Sequence, residues 1–161
     1  MIDLCEAERM TFNKIIQAAE LPADELIAYS SWSDDTYTRN CIYEDEDFEL
    51  ILLCWKPGQS TPIHDHGGEE CWVKVIEGAF KERIFQHDET GDLQEISSSV
   101  THIGDVSYMI DFMGYHSLEN ISPRNSMTLH LYAKPIKNCH VFDEDSQSLV
   151  YKEMSYDTVL S

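Results

Sequence analysis

Positive charge is scarce in this 161-residue sequence, which has 11 Lys and Arg residues against 30 Asp and Glu, for a formal net charge of −19. A chain this negative is repelled by the phosphates of nucleic acids and by anionic lipid surfaces, so neither is expected as a partner. An anionic small molecule would need a local cation to hold it. The sequence also lacks an apolar run near the roughly 20 residues that cross a membrane, and residues 1–8 are acidic without the apolar core of a signal peptide.

The cysteines lack the pattern of a disulfide framework. They are odd in number and widely scattered, and no two of them form a Cys-x-x-Cys pair: Cys5, Cys41, Cys54, Cys71 and Cys139. Scattered thiols of this kind are typical of proteins in reducing compartments. Together with the absent signal peptide and membrane span, they predict a cytoplasmic protein with reduced cysteines.

The sequence does have the apolar content of a folded protein. Hydrophobic residues make up 42% of the chain and aromatic residues 11%, which argues against disorder. The length suits one domain with one core. Because no internal repeat or low-complexity segment marks a second unit, we predict a single domain over residues 1–161.

Helical patterning is confined to the N-terminal part of the chain, and short strands follow it. Residues 6–20 approximate an amphipathic stripe, and Pro22 can open a second short helix. From residue 37 onward, short apolar or alternating runs at close spacing indicate a β-sandwich or a small barrel. Residues 87–101 are polar and contain Gly91, so we expect a hairpin loop there. The acidic tail, residues 143–161, is expected to add edge strands at most.

Two histidines stand two residues apart in a Pro-x-His-x-His-Gly-Gly run. In an extended chain, His64 and His66 would present both imidazoles on one face, as a metal site requires. His116 is the candidate third ligand, because it lies at the start of a predicted strand. Three protein ligands leave positions open for substrate, which is typical of a catalytic site. The remaining isolated histidines are expected to be surface or packing residues: His87, His102 and His140.

These residues resemble the motifs of the cupin superfamily. The first cupin motif, Gly-x5-His-x-His followed by Glu and Gly, keeps its register at Gly58, His64, His66 and Gly78. With a four-residue gap its glutamate position falls on Cys71; a three-residue gap selects Glu70 but puts the final glycine out of step. The second motif ends in His-x3-Asn, matched by His116 and Asn120. Asp111 and Met113 occupy the places of its Pro and Gly.

A cysteine at the glutamate position makes the chain similar to the cysteine dioxygenases. The segments that carry the likeness keep their order and spacing: Tyr37-Thr38-Arg39-Asn40, Cys54-Trp55, His64-Asp65-His66 with Cys71, His116 with Glu119-Asn120, Leu129-His130-Leu131-Tyr132 and Cys139-His140-x-Phe142. The resemblance implies an all-β fold, a small cupin β-barrel with short N-terminal helices packed outside. The implied parts are a helical cover at about 6–29, a barrel at about 37–142 and a tail at 143–161.

The same resemblance implies the activity and the site. The expected reaction converts L-cysteine and O2 to cysteine sulfinic acid on Fe(II), in a monomer. Iron would be held by His64, His66 and His116, and the substrate carboxylate by Arg39. A thioether cross-link would join Cys71 to Tyr132, whose hydroxyl would hydrogen-bond His130. Tyr132, His130 and Cys71 would therefore be the catalytic residues, with Tyr132 and His130 also contacting the substrate.

Residue spacing agrees with several of these roles and leaves alternatives for others. Tyr37 shares a strand face with Arg39 and would donate from its hydroxyl. Thr128, His130 and Tyr132 share parity, so that all three can face the pocket. An alternative for Arg39 is a surface ion pair with the acidic turn at residues 44–47. Cys71 could be a small buried hydrophobe and Tyr132 a core tyrosine, while Asp65 is expected to turn outward and hold its loop.

Other functions remain open at this level. One is a dioxygenase of 3-mercaptopropionate or another small thiol, although an arginine at position 39 favours an α-amino acid. Another is a non-catalytic cupin that binds a metal or small ligand. A third is an isomerase or decarboxylase using Mn or Zn, which the missing glutamate ligand weakens.

Overall fold

The computed structural model describes the backbone of residues 4–159 and the side chains of residues 11–159. The ends of the predicted single domain, residues 1–3 and 160–161, lie outside the described residues. The chain begins with helix α1 (Leu4–Ala18), helix α2 (Ala23–Leu26) and a 3-10 turn (Ile27–Tyr29). The described strands are β1 Thr38–Glu44, β2 Phe48–Trp55, β3 Glu70–Glu77, β4 Ala79–His87, β5 Leu93–His102, β6 Val106–Met109, β7 Tyr115–Asn120, β8 Ser126–Ala133, β9 Asn138–Asp143, β10 Ser148–Glu153 and β11 Thr158–Val159.

The strands form a larger sheet, a smaller sheet and a hairpin. The larger sheet has the order β11-β1-β2-β8-β3-β6, the smaller one the order β5-β4-β7, and β9 pairs with β10. Isolated bridges join His64 to His116 of β7 and to Val141 of β9, so the loop after β2 links the smaller sheet to the hairpin. The histidine-bearing loop therefore lies where these parts meet. Apart from the N-terminal helices and short 3-10 turns, the described elements are strands, as the all-β prediction requires.

Strand β2 is buried on both faces, and each face packs into a different cluster. Ile51, Leu53 and Trp55 point into the barrel core, while Leu52 and Cys54 point toward the helices. This explains why β2 reads as a continuous apolar run, since each face of the strand needs apolar residues. The barrel core also includes residues from both sheets: Val73, Val75, Phe80, Leu118 and Tyr132. Each fully buried aliphatic side chain contributes roughly 1.5–3 kcal/mol to folding.

Helix α1 is attached to the outside of the larger sheet by both apolar and polar contacts. Ile16 is buried against the outer cluster with Leu26. Lys74 of β3 donates from Nζ to the carbonyls of Ile16, Gln17 and Ala19, at 3.1, 3.1 and 2.6 Å. A cation at the C-terminal end of a helix satisfies its free carbonyls and its dipole. The predicted outer helical cover is thus confirmed.

The prediction of a hairpin loop over residues 87–101 is wrong. Strand β5 occupies most of this segment and pairs with β4 from His87↔Leu93 to Ala79↔His102. Most of its side chains are exposed on an edge strand, so the segment lacks the apolar alternation by which a strand is recognised. The turn is limited to the residues between β4 and β5.

The acidic tail does form further strands, and one of them extends the larger sheet. β11 pairs in parallel with β1, with Asn40 opposite Thr158, and β10 pairs along the whole of β9. Within the described residues no helix is long and apolar enough to span a membrane. The cysteines with described side chains carry free thiols: Cys41, Cys54, Cys71 and Cys139.

Candidate metal centre and substrate pocket

Three histidines converge at the mouth of the barrel. His64 and His66 come from the loop between β2 and β3, and His116 comes from β7. One ring nitrogen of each lies within 4.8 Å of the others. The backbones of His64 and His116 are joined by two hydrogen bonds of 2.9 and 3.0 Å, which hold the loop against the strand. The predicted ligand residues are therefore brought together.

The hydrogen bonds of two of these histidines determine which ring nitrogens face the centre. Nδ1 of His64 lies 2.9 Å from the carbonyl oxygen of Pro62, which can only accept, so Nδ1 donates. Nδ1 of His116 lies 3.3 Å from Oε2 of Glu82. The two Nε2 atoms are left facing each other at 3.2 Å. Burial, and next the neighbouring His116, lowers the pKa of His64 to about 3, so its inward nitrogen is an unprotonated donor atom.

His66 has no polar partner of its own within the described residues. Its side chain is buried, and neither Nδ1 nor Nε2 makes a hydrogen bond. Burial lowers the pKa of His66 well below its usual value, with His116 the next cause, so the ring is neutral. A buried, unpaired imidazole is costly unless it ligates something. Three imidazole nitrogens at one point are a donor set that suits a divalent transition metal.

Two acidic residues that hold this loop were not assigned correctly from the sequence. Asp111 accepts the backbone N–H of His66 at 2.9 Å and also that of Gly68. The sequence pointed to Asp111 only as the residue that stands at the proline position of the second cupin motif. Asp65 does not turn outward: it accepts the N–H of His140 at 2.8 Å and lies 3.0 Å from Nδ1 of that residue. It holds the loop, as expected, but by tying it to β9.

Glu82 is a further residue that sequence patterns did not identify. Its carboxylate on β4 is 6% exposed and faces His116, with Ser107 donating to the same oxygen at 3.4 Å. A carboxylate that accepts from the outward nitrogen of a metal-binding histidine fixes its tautomer and makes it a stronger ligand. The pairing depends on the register between β4 and β7, which no local pattern encodes.

Arg39 on β1 places an unpaired cation in the wall of the pocket. The residue is 9% exposed, and neither Nε nor Nη2 has a partner within the described residues. Among the described residues, Arg39 does not form the alternative ion pair with the acidic turn at residues 44–47. Instead, the backbone N–H of Arg39 donates to the carboxylate of Asp157 at 2.7 Å, and the carbonyl of Arg39 accepts from the backbone N–H of Asp157 at 2.7 Å. The centroid of the Tyr156 ring lies 6.0 Å from the guanidinium of Arg39. The group is oriented but free to bind an anion.

Tyr37 lines the same pocket beside Arg39. Its ring stacks on Trp55 with centroids 4.6 Å apart, which holds the side chain in place. Burial raises the pKa of Tyr37, an effect that the Arg39 charge partly offsets. The hydroxyl is therefore a neutral hydrogen-bond donor at physiological pH.

A chain of side chains on β8 runs from the core to the pocket. Nε1 of Trp55 donates to Oγ1 of Thr128 at 2.9 Å, and that hydroxyl lies 2.8 Å from Nε2 of His130. Nδ1 of His130 lies 3.2 Å from the hydroxyl of Tyr132. Burial lowers the pKa of His130 well below normal, so the neutral ring accepts from one hydroxyl and donates to the other. Thr128, His130 and Tyr132 thus lie on one face of the strand, as their spacing predicts. Trp55 extends the hydrogen-bonded chain by one residue that the sequence did not indicate.

Cys71 lies behind Tyr132, outside the pocket wall. The two residues are directly opposite in the antiparallel pair of β3 and β8. Burial raises the pKa of the Cys71 thiol, while its hydrogen bond with Tyr132 lowers it to a smaller extent. Both side chains are almost completely buried. The pair is thus in contact, as a cross-link would require, and the thiol is protonated.

The pocket combines these polar groups with an apolar wall. Its lining brings together the predicted residues Tyr37, Arg39, His64, His66, His116, His130 and Tyr132. The apolar part of the lining comes from three strands and two connecting segments: Leu53, Leu118, Val141, Ile136 and Met154. Sγ of Cys139 lies 3.3 Å from Sδ of Met154 at this wall. The site is therefore a partly apolar cleft with metal-binding nitrogens on one side and a cation on another.

Comparison with known proteins gives one family and one fold. The family model described as "Cysteine dioxygenase type I" matches residues 3–145. Human cysteine dioxygenase type 1 is 33% identical over 134 residues, which is 81% of this chain and 67% of the human protein. The rat protein of the same name is 31% identical over 134 residues, with the same coverage of both chains.

Solved structures show the same architecture at lower identity. A Klebsiella pneumoniae protein with a double-stranded beta-helix domain superposes with a TM-score of 0.54 at 18% identity, covering 84% of this chain and 91% of that one. An RmlC-like cupin protein from Desulfovibrio desulfuricans gives a TM-score of 0.52 at 18% identity, covering 74% and 97%. These similarities establish the cupin fold.

Proposed function

This chain belongs to the cysteine dioxygenase type I family, and from that premise we propose that it is an Fe(II)-dependent enzyme converting L-cysteine and O2 to cysteine sulfinic acid. Family membership and the three-histidine cluster support a thiol dioxygenase with a metal cofactor acting on small molecules. The observation that carries the choice of substrate is the buried guanidinium of Arg39, whose Nε and Nη2 have no partner among the described residues, in the same pocket as the histidines. We further propose a single-domain monomer.

The metal would be held by His64, His66 and His116. Imidazole suits Fe(II), and iron bound there would supply the one-electron chemistry that dioxygen requires. Three neutral ligands contribute no negative charge, so an anionic thiolate substrate can balance the charge of the ion. Glu82 accepts from His116 and keeps the inward nitrogen of that residue free to ligate.

Arg39 and Tyr37 would hold the substrate carboxylate. A guanidinium can bind a carboxylate through two parallel, charge-assisted hydrogen bonds. In the part of the chain that the structure describes, Nε and Nη2 of Arg39 have no hydrogen-bond partner, and the hydroxyl of Tyr37 is a further donor in the same pocket. Fixing the carboxylate at this end leaves the thiol and amine of cysteine to point toward the histidines, which positions the reacting sulfur.

Tyr132, His130 and Cys71 would complete the site. Burial raises the pKa of Tyr132 well above normal, so its hydroxyl keeps its proton and can donate to the bound substrate. His130 and Thr128 fix the direction of that hydroxyl through the chain of hydrogen bonds on β8. The apolar lining excludes water from the reacting sulfur. We also propose that a thioether forms between Cys71 and Tyr132, losing one hydrogen from each with dioxygen as oxidant.

Anaerobic loading with Fe(II), followed by oxygen uptake with L-cysteine, tests the proposal. The expected result is consumption of one O2 per cysteine with cysteine sulfinate as the product. Faster turnover of 3-mercaptopropionate than of cysteine would show that the proposed substrate is wrong, while the proposed reaction, dioxygenation of a thiol, would stand. Stoichiometric metal binding without oxygen consumption for any small thiol would instead identify a binding protein.

A further inference from the structure

A second cation stands at the pocket, on a strand outside the family match. Lys152 lies on β10 opposite Cys139 of β9, and it lines the pocket together with Arg39. Met154, two residues further on, also lines the pocket, which agrees with the alternation of an extended chain. The family model ends at residue 145, so this part of the wall is supplied by the C-terminal segment of this chain.

Lys152 differs from Arg39 in its exposure. Arg39 is buried, whereas Lys152 is exposed at the rim. Within residues 11–159, the ammonium of Lys152 forms no ion pair with a carboxylate. Arg39 is thus a fixed contact inside the pocket, while the Lys152 charge is free to act on a molecule that is entering it.

The charge of Lys152 reaches the groups inside the pocket. Burial raises the pKa of the Cys139 thiol, and the charge of Lys152, which lies opposite Cys139 in the hairpin, partly offsets this effect. Asp65 is the anionic residue of the lining, and its carboxylate is shared with His140. The lining thus carries two basic side chains and one carboxylate in a protein whose net charge is −19. Such a contrast attracts anions to one place on a surface that otherwise repels them.

We propose that Lys152 is a specificity-determining residue at the entrance of the pocket, which attracts the carboxylate of small thiols and disfavours cationic thiols that lack one. This inference rests on the proposed function and names the charge class of its substrates. A thiol carrying a carboxylate is drawn past Lys152 to Arg39, where it is fixed. A cationic aminothiol without a carboxylate, such as cysteamine, meets two like charges.

Because Lys152 is exposed and acts before the substrate is fixed, its effect falls on capture and not on the reaction that follows. Exposed charges act mainly on association and are screened by salt. The kcat/KM for an anionic thiol such as 3-mercaptopropionate should therefore depend on Lys152 and on ionic strength, while kcat should not. The dependence should be weaker for L-cysteine, which is a zwitterion without net charge. A residue needed only for packing would show neither dependence on salt nor discrimination by substrate charge.

The test compares Lys152→Gln and Lys152→Glu with Lys14→Gln, which makes the same charge change on the exposed surface of α1. At low ionic strength, we expect Lys152→Gln to lower kcat/KM for the anionic thiol 3-mercaptopropionate by about 3- to 10-fold and Lys152→Glu by more, with a smaller loss for zwitterionic L-cysteine. The loss should shrink as salt is added. For cysteamine, the same substitutions should lower kcat/KM less or should raise it. Lys14→Gln should match the unmodified protein.

A binding measurement separates this inference from the proposed function. Calorimetric titration of the iron-loaded protein with 3-mercaptopropionate under anaerobic conditions gives the affinity for an anionic thiol without turnover. If no thiol is oxidised, the proposed function fails, yet weaker, salt-dependent binding by Lys152→Gln would still support the capture role. If Lys152→Gln behaves like Lys14→Gln in both assays, or lowers kcat alone, the capture role is overturned.

Discussion

The Nε2 atoms of His64 and His116 face each other at 3.2 Å. Each ring directs its Nδ1 toward an acceptor, the Pro62 carbonyl for one and the Glu82 carboxylate for the other. Two nitrogen lone pairs at this separation repel each other unless a cation lies between or beside them. A proton is disfavoured because the pKa of His64 is lowered to about 3. The arrangement is therefore best satisfied by a metal ion.

Removal of any one of the three histidines should abolish stable iron binding. His64→Ala, His66→Ala and His116→Ala each delete one of the clustered nitrogens, and two remaining ligands hold Fe(II) weakly. Iron content after anaerobic loading and desalting measures the effect. His87→Ala, which changes an exposed histidine outside the cluster, is the control. Full iron retention by any of the three variants would show that the ligand set is wrong.

Glu82→Gln should weaken metal binding without removing it. The amide keeps the size of the side chain but loses the charge that polarises His116, and changes of this kind cost about 10- to 100-fold in metal affinity. Competition with a chelator, using Co(II) as well as Fe(II), measures the affinity independently of activity. Glu89→Gln, at an exposed turn position, should leave it unchanged. Equal affinities in the two variants would contradict the role given to Glu82.

Arg39→Gln should raise KM for cysteine far more than it lowers kcat. Removing one partner of a buried charge pair costs roughly 2–5 kcal/mol, expressed here in kcat/KM. The KM of Arg39→Lys should lie between those of the unmodified protein and Arg39→Gln, because an ammonium keeps the charge but cannot form two parallel bonds to a carboxylate. Steady-state oxygen uptake measures both variants, with Arg124→Gln as a surface control. An unchanged KM would show that the carboxylate binds elsewhere.

Cys71 and Tyr132 should become covalently joined during turnover with iron. Formation of the S–C bond removes the thiol hydrogen and one ring hydrogen, so the intact mass should fall by about two mass units. Cys71→Ser and Tyr132→Phe should both prevent the shift, whereas Cys139→Ser should preserve it. An unshifted mass in the active protein would remove the cross-link from the account.

Acid should destabilise the metal-free protein partly through His130. Its pKa is lowered well below 6.5 in the folded state, so below pH 6.5 the unfolded chain binds a proton that the folded protein does not. Stability is therefore lost as the pH falls from about 6.5 toward the folded-state value, by up to about 1.4 kcal/mol per pH unit for this residue. His130→Gln should lack this component. Urea unfolding between pH 7.5 and 5 compares the two proteins, and parallel pH dependences would refute the assignment.

Local spacing was sufficient to predict several of the site residues. Period-2 alternation placed Thr128, His130 and Tyr132 on one face of a strand, and they form the hydrogen-bonded chain on β8. The bounds of β2 follow from its apolar run, because both faces of that strand are buried. The family resemblance, and not the spacing, supplied the roles of Arg39 and Cys71. These roles remain proposals, although the structure brings the residues to the expected places.

Tertiary pairing determined what spacing did not reveal. β5 is an edge strand with polar, exposed side chains, so its sequence pattern predicts a loop and not a strand. Glu82 faces His116 because β4 and β7 pair in one register, and Lys152 joins the pocket because β10 folds back along β9. Local sequence determines which side chains share a face, since backbone geometry repeats along the chain. Which faces meet depends on pairing between distant segments. That pairing placed Glu82 beside His116 and Lys152 at the rim of the pocket.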